Sequence, residues 1–127
     1  MTQKDKELLI RDLSARVPYG VRYRRFAWDD KQGEECISAK IYSISPDGYV
    51  RNYHEDESDY IDNVRPYLFP FSSMTEEQKV DMVKSSCGIG SDKNVFDWFN
   101  KNHFDYRGLI PMGLAEDATD KNIYDYL

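Results

Sequence analysis

Cysteine and histidine are scarce in this chain, with two of each in 127 residues. Cys36 and Cys87 lie far apart and fit no CxxC pattern, so two free, buried thiols are expected rather than a disulfide framework. His54-Glu55-Asp56 could supply three metal ligands, but adjacent residues on an extended chain point to opposite faces. Long apolar runs are also missing, and no window approaches the ~20 residues of a membrane-spanning helix. Met1 to Arg16 is charged and lacks an apolar h-region, so no secretory signal is expected and a cytoplasmic setting follows. Positive charge is in deficit: 17 Lys and Arg stand against 23 Asp and Glu, for a net charge of −6. That balance argues against broad nucleic-acid affinity, which needs clustered cations. Internal repeats and low-complexity tracts are absent as well.

Aromatic residues are plentiful, at 14%, and ten of them are tyrosines. Tyrosine joins an apolar ring to a polar tip and suits half-exposed surfaces. The 40% hydrophobic content is that of a globular chain. Charge is unevenly placed: residues 1–28 hold seven cations against three acids, and the remainder holds ten against twenty. The first part contains a short basic run, Arg22-Tyr23-Arg24-Arg25, whose bland reading is the charged outer positions of a strand.

The chain divides by hydrophobic period. Residues 3–16 read as a helix, with Thr2 and Asp5 as a capping box, Leu9 and Leu13 on one face, and Pro18 as the stop. From residue 20 to 71 the alternation is that of strands. Val21 and Tyr23 set one parity, and Phe26 and Trp28 take the other. Ile37, Ala39 and Ile41 are likewise followed by Tyr42 and Ile44. A parity slip requires a bulge, here near Arg24–Arg25 and again after Ile41. Turns are expected at Asp29–Gly33 and at Ser45-Pro46-Asp47-Gly48, where Pro and Gly fit a type I turn. A third strand runs from Tyr49 to His54, and the acidic run Glu55–Asp59 is a loop. Tyr60–Ile61 and Val64–Leu68 are short strands, and Pro66 and Pro70 confine the latter to an edge or barrel end. Thr75 and Gln78 then open a helix near Glu76 that runs to about Ser86. Gly88-Ile89-Gly90 breaks it, and Ser91 or Asp92 caps a third helix through about Asn102, with Val95, Phe96, Trp98 and Phe99 as its apolar face. After Gly108 the tail reads as irregular.

The predicted fold is therefore α+β: a small SH3-like β-barrel preceded by one helix and followed by a C-terminal helical pair. Residues 1–72 hold the first helix and barrel, and residues 73–127 pack on them as one compact unit.

The segment 97–110 concentrates chemistry, with four aromatic residues, His103, Asp97, Asp105 and Arg107 in fourteen positions. Its spacing matches no catalytic or metal motif. Nucleophilic catalysis would need Cys36 or Cys87 beside His54 or His103 and a third, orienting group. Cys87 follows a helix instead of preceding one, so no N-terminal dipole favours its thiolate. Gly88 to Lys93 lacks the spacing of a phosphate loop. No catalytic residue, metal or cofactor is expected. Tyr67, His103, Asp105, Tyr106 and Arg107 form the candidate binding surface, because Tyr and Arg dominate interface hot spots. Structural roles for His103, Asp105 and Arg107 are the competing expectation: His103 at a helix C-terminus would favour its charged form, and Asp105 and Arg107 would pair or cap. Phe96 and Phe99 are expected in the core, with Tyr106 and Arg107 partly exposed near Tyr67.

Several phrases stand together: Arg16-Val17-Pro18-Tyr19-Gly20-Val21, Val64 through Gln78, Asp97-Trp98-Phe99-Asn100 and His103 through Ile110. In these the chain resembles a family of short uncharacterised proteins encoded by phages and mobile elements of anaerobic gut bacteria. The resemblance implies a bacterial cytoplasmic accessory protein and assigns no residue a role. Three functional readings stay open. The first is a non-enzymatic protein that acts by binding another protein. The second is a nucleic-acid-binding SH3-like module using Tyr19, Arg22, Tyr23, Arg24 and Arg25. The third is a small hydrolase dependent on His103.

Overall fold

The computed structural model describes residues 1–25, 36–53, 58–85, 91–121 and 123–124, with only the backbone of 36–39 and 91–92. The first helix, α1 (Gln3–Arg16), begins on the Thr2 box: the Asp5 amide donates to Thr2 Oγ1, and the Thr2 amide donates to Asp5 Oδ2. It ends where Pro18 enters a single 3₁₀ turn, Val17–Tyr19, closed by Gly20 at φ 72°. α2 (Glu76–Ser85) starts on the expected Thr75–Gln78 box, and α3 (Ser91–Lys101) follows.

Six strands form one open, mixed sheet in the order β4-β3-β2-β1-β5-β6. They are β1 (Arg22–Arg25), β2 (Cys36–Ile44), β3 (Tyr49–Asn52), β4 (Ser58–Tyr60), β5 (Val64–Leu68) and β6 (Glu116–Asp117). The α+β class stands. The sheet is not closed, since no pairing joins β4 to β6 among the described residues. Both expected bulges are present, between Tyr23 and Arg25 and between Ile41 and Ser43. The second lets β2 pair with β1 along one half and β3 along the other, a strand that turns the corner of the sheet. In a flat sheet β1 and β4 would stand roughly 14 Å apart. Yet Tyr23 Oη on β1 donates to Asp59 Oδ2 on β4, and Asn52 Nδ2 on β3 donates to Tyr23 Oη at 2.9 Å. The sheet is therefore strongly curled.

The Ser45–Gly48 turn forms, with the Gly48 amide donating to Ser45 O at 3.0 Å. Gly48 has φ 92°, and a Cβ there would stand 3.0 Å from Ile61 Cγ2, so glycine is needed twice over. Three expectations are corrected. Ser58 and Asp59 belong to β4 rather than to a loop. The tail is not wholly irregular, because β6 adds to the sheet in parallel and Ala118 N bonds Leu68 O. β5 consequently lies inside the strand order, although β6 pairs only Tyr67 and Leu68 and leaves Pro66 paired with Tyr23 alone. Phe26, Trp28, the 29–33 turn, His54–Glu57, and Cys87 with its glycines lie outside the described residues, as do the side chains of Cys36, Ile37, Ala39, Ser91 and Asp92.

One core joins Leu9 and Leu13 of α1 to Val21, Tyr23, Ile41, Val50, Val64 and Leu68 of the sheet. Leu109, Leu114 and Ala115 complete it from the C-terminal segment. A second, smaller cluster of Tyr67, Ala118 and Ile123, with Phe69 and Tyr124 against it, also packs on β5. Among the described residues no helix is long and apolar enough to cross a membrane.

Candidate functional site

Local backbone geometry explains the dense tract after α3. His103 takes a left-handed φ of 63°, the Phe104 amide donates to Phe99 O at 2.9 Å, and the His103 amide donates to Asn100 O at 3.3 Å. This is a Schellman ending with histidine where glycine is usual. The chain then lies along Phe69, whose amide donates to His103 O at 2.8 Å and whose carbonyl accepts from Asp105 N at 2.9 Å. The Asp105 carboxylate accepts from the amides of Leu109 (2.8 Å) and Ile110 (2.9 Å), fixing the turn that delivers Leu109 to the core.

Arginines tie this tract to α1. Asp12 and Arg16 are fully buried, with Arg16 Nε donating to Asp12 Oδ2 at 2.9 Å and Nη2 to Oδ1 at 3.2 Å. Arg16 Nη2 also donates to Phe104 O at 2.7 Å, and Arg107 Nε donates to Asp12 Oδ1 at 3.0 Å. The Tyr106 ring has the guanidinium carbons of Arg16 and Arg107 at 5.3 and 4.9 Å from its centroid. A buried ion pair recovers its desolvation cost only when further bonds satisfy it, and here the Phe104 carbonyl and Arg107 supply them.

His103 stacks on Tyr124 with 3.7 Å between ring centroids. Burial lowers its pKa to about 3, with the charges of Arg16 and Arg22 acting in the same direction. The imidazole is therefore neutral at pH 7, which corrects the expectation of a charged helix-end histidine: lost hydration and two nearby cations outweigh the dipole. Tyr124 Oη accepts from the Arg22 amide at 2.8 Å and donates to Tyr67 O at 2.8 Å. Burial raises the Tyr124 pKa.

Of the five residues of the expected surface, Tyr67, His103 and Asp105 are buried, at 2%, 8% and 8% exposure. Tyr106 and Arg107 are half-buried at the rim, beside α1 rather than beside Tyr67. The helix stripe also differs from expectation. Trp98 is the buried ring, stacked on Phe104 at 5.5 Å, with Nε1 donating to Asp81 Oδ2 at 2.7 Å. Phe99 is half-buried and Phe96 is exposed, with the rings of Phe71 and Tyr106 packed on that side of α3. The result is a surface cluster of four rings, of which Phe71 and Phe96 are each 47% exposed.

The basic strand is partly spoken for. Tyr23 is buried, Arg24 Nη1 stands 3.4 Å from Glu116 Oε1, and Arg25 Nε stands 2.9 Å from Asp59 Oδ1. Tyr19 and Arg22 line an open cavity of about 770 Å³ with Lys40, Tyr53 and Lys101, and among the described residues no carboxylate lines it. Sequence reasoning missed these three. Lys40 carried a usable signal, as an exposed residue between the apolar Ala39 and Ile41 of the strand pattern. Lys101 comes from another element and carried none.

Among the described residues no three His, Cys, Asp or Glu side chains converge as a metal site requires. No family model matches the chain, and neither the curated proteins nor the solved structures offer a match.

Proposed function

We propose that this is a non-enzymatic accessory protein of a bacterial mobile element that binds a partner protein through the Phe71, Phe96, Phe99 and Tyr106 ring surface. The observation that carries the reading is the 47% exposure of both Phe71 and Phe96, which pack on Phe99 in one ring cluster. A phenylalanine gains about 1.5–3 kcal/mol when fully buried, so two half-exposed neighbours favour a covering apolar segment. Arg107 at the rim, already aligned by Asp12 and Tyr106, suits a carboxylate on that segment. The origin in a mobile element and the cytoplasmic setting rest on the sequence resemblance and composition. The finer fold reading, a small SH3-like barrel, is supported by the two bulges and by the Tyr23–Asp59 contact across the curl.

Affinity capture from a bacterial host with the wild type and with Phe71→Ser/Phe96→Ser tests this. A co-purifying protein should be lost from the double variant, and it should bind the purified wild type directly. Identical captures from both would remove the ring surface from consideration.

A further inference from the structure

We propose that the cavity formed by Tyr19, Arg22, Lys40, Tyr53 and Lys101 binds single-stranded nucleic acid. Its phosphates would rest on Lys40 and Lys101 and its bases on the tyrosines. The site is distinct from the ring surface, because helical spacing puts Lys101 and Asp97 on one side of α3 and Phe96 and Phe99 on the other.

The cations come from three elements that hold them at fixed positions. Arg22 and Lys40 are Cα partners across β1 and β2, and Lys101 ends α3. The Arg22 amide is held by Tyr124 Oη, to which it donates at 2.8 Å. Tyr53 is locked to the same place by its amide, which donates to Lys40 O at 3.2 Å. Among the described residues neither Lys40 nor Lys101 is held in an ion pair, although the chain as a whole is acidic. A described lining of two lysines and an arginine without a carboxylate favours an anion.

Stacking surface accompanies the charge. Tyr53 is 67% exposed, and its ring lies 5.4 Å from that of Tyr42, itself exposed on the outer face of β2. Tyr19 is exposed between fixed neighbours, Pro18 and the left-handed Gly20. Bare rings beside cations are how sequence-tolerant single-strand sites hold bases, whereas a duplex hides its base faces.

A second cavity of about 420 Å³ shares Tyr19 and Lys101 and is lined by Asp81, Asn94, Asp97 and Asn102. Hence one side of Tyr19 attracts phosphate and the other offers carboxylate and amide groups suited to base edges. A single strand separates its phosphates from its bases in that way. A duplex carries phosphate on both sides and meets the carboxylates, and a polyphosphate leaves the polar half unused.

Fluorescence anisotropy with a labelled oligothymidylate of about 12 nucleotides, its duplex with oligoadenylate, and polyphosphate as competitor tests the site. The single strand should bind more tightly than the duplex, with a log–log salt slope of about −1.4 for two lysines on a single strand. Tyr53→Ala should weaken binding about tenfold while Tyr53→Phe retains it. Lys40→Ala/Lys101→Ala should flatten the salt slope. Lys79→Ala on α2 should change nothing, and circular dichroism confirms that each variant is folded. Three results each overturn the proposal: no binding at low salt, equal affinity for duplex or polyphosphate, or unchanged binding by Tyr53→Ala and the double lysine variant.

Discussion

Three hydrogen bonds from Arg16 and Arg107 end on the carboxylate of Asp12, and it sits beneath a tract that had the look of a binding surface. At the residue scale, what a polar group does depends on what it already touches, and spacing alone does not reveal that. His103 is the clearest case. Its folded pKa is about 3 against an ordinary value of 6.5. Between these values the unfolded chain holds the extra proton, so stability is intact above pH 6.5 and falls as the pH drops toward 3. This residue contributes a slope of up to about 1.4 kcal/mol per pH unit. Asparagine tolerates a left-handed backbone and does not titrate, so His103→Asn should flatten that part of the profile in urea unfolding between pH 7 and 4. A variant with the wild-type slope would contradict the assignment.

At the element scale most of the helices and strands were legible. The Thr2 and Thr75 boxes, the Pro18 stop, both bulges and the Ser45–Gly48 turn are local signals, and each forms as read. β6 was illegible because two residues pair in parallel with a strand almost fifty positions away. The α3 stripe was misjudged for a related reason. Helical spacing groups Phe96 with Phe99, but only the rest of the molecule decides which side it covers, and it covers Trp98. α2 presents a further contrast: none of its residues is buried, whereas α1 buries Leu9, Asp12, Leu13 and Arg16. Local opening follows low burial. Native-state hydrogen exchange should therefore show α2 amides exchanging well before those of α1, and faster again in Asp81→Ala, which removes the bond from Trp98 Nε1. Equal protection of the two helices would show that α2 is held by more than these contacts.

Across the whole molecule, the C-terminal segment is built into the sheet and core instead of resting on them. Leu109, Leu114 and Ala115 enter the main core, and the Asp105 carboxylate shapes the turn that brings them there. A polar tract therefore fixes the fold, while rings expected in the core face outward and the candidate contacts lie on two other surfaces. Comparing the urea unfolding of Asp105→Ala and Phe96→Ala tests this most directly. Asp105→Ala strands two amides at a buried turn and should lose about 2–4 kcal/mol. Phe96→Ala removes a half-exposed ring and should lose about 1 kcal/mol or less. The reverse order, with Phe96→Ala the more damaging and Asp105→Ala near neutral, would return Phe96 to the core and the tract to the surface.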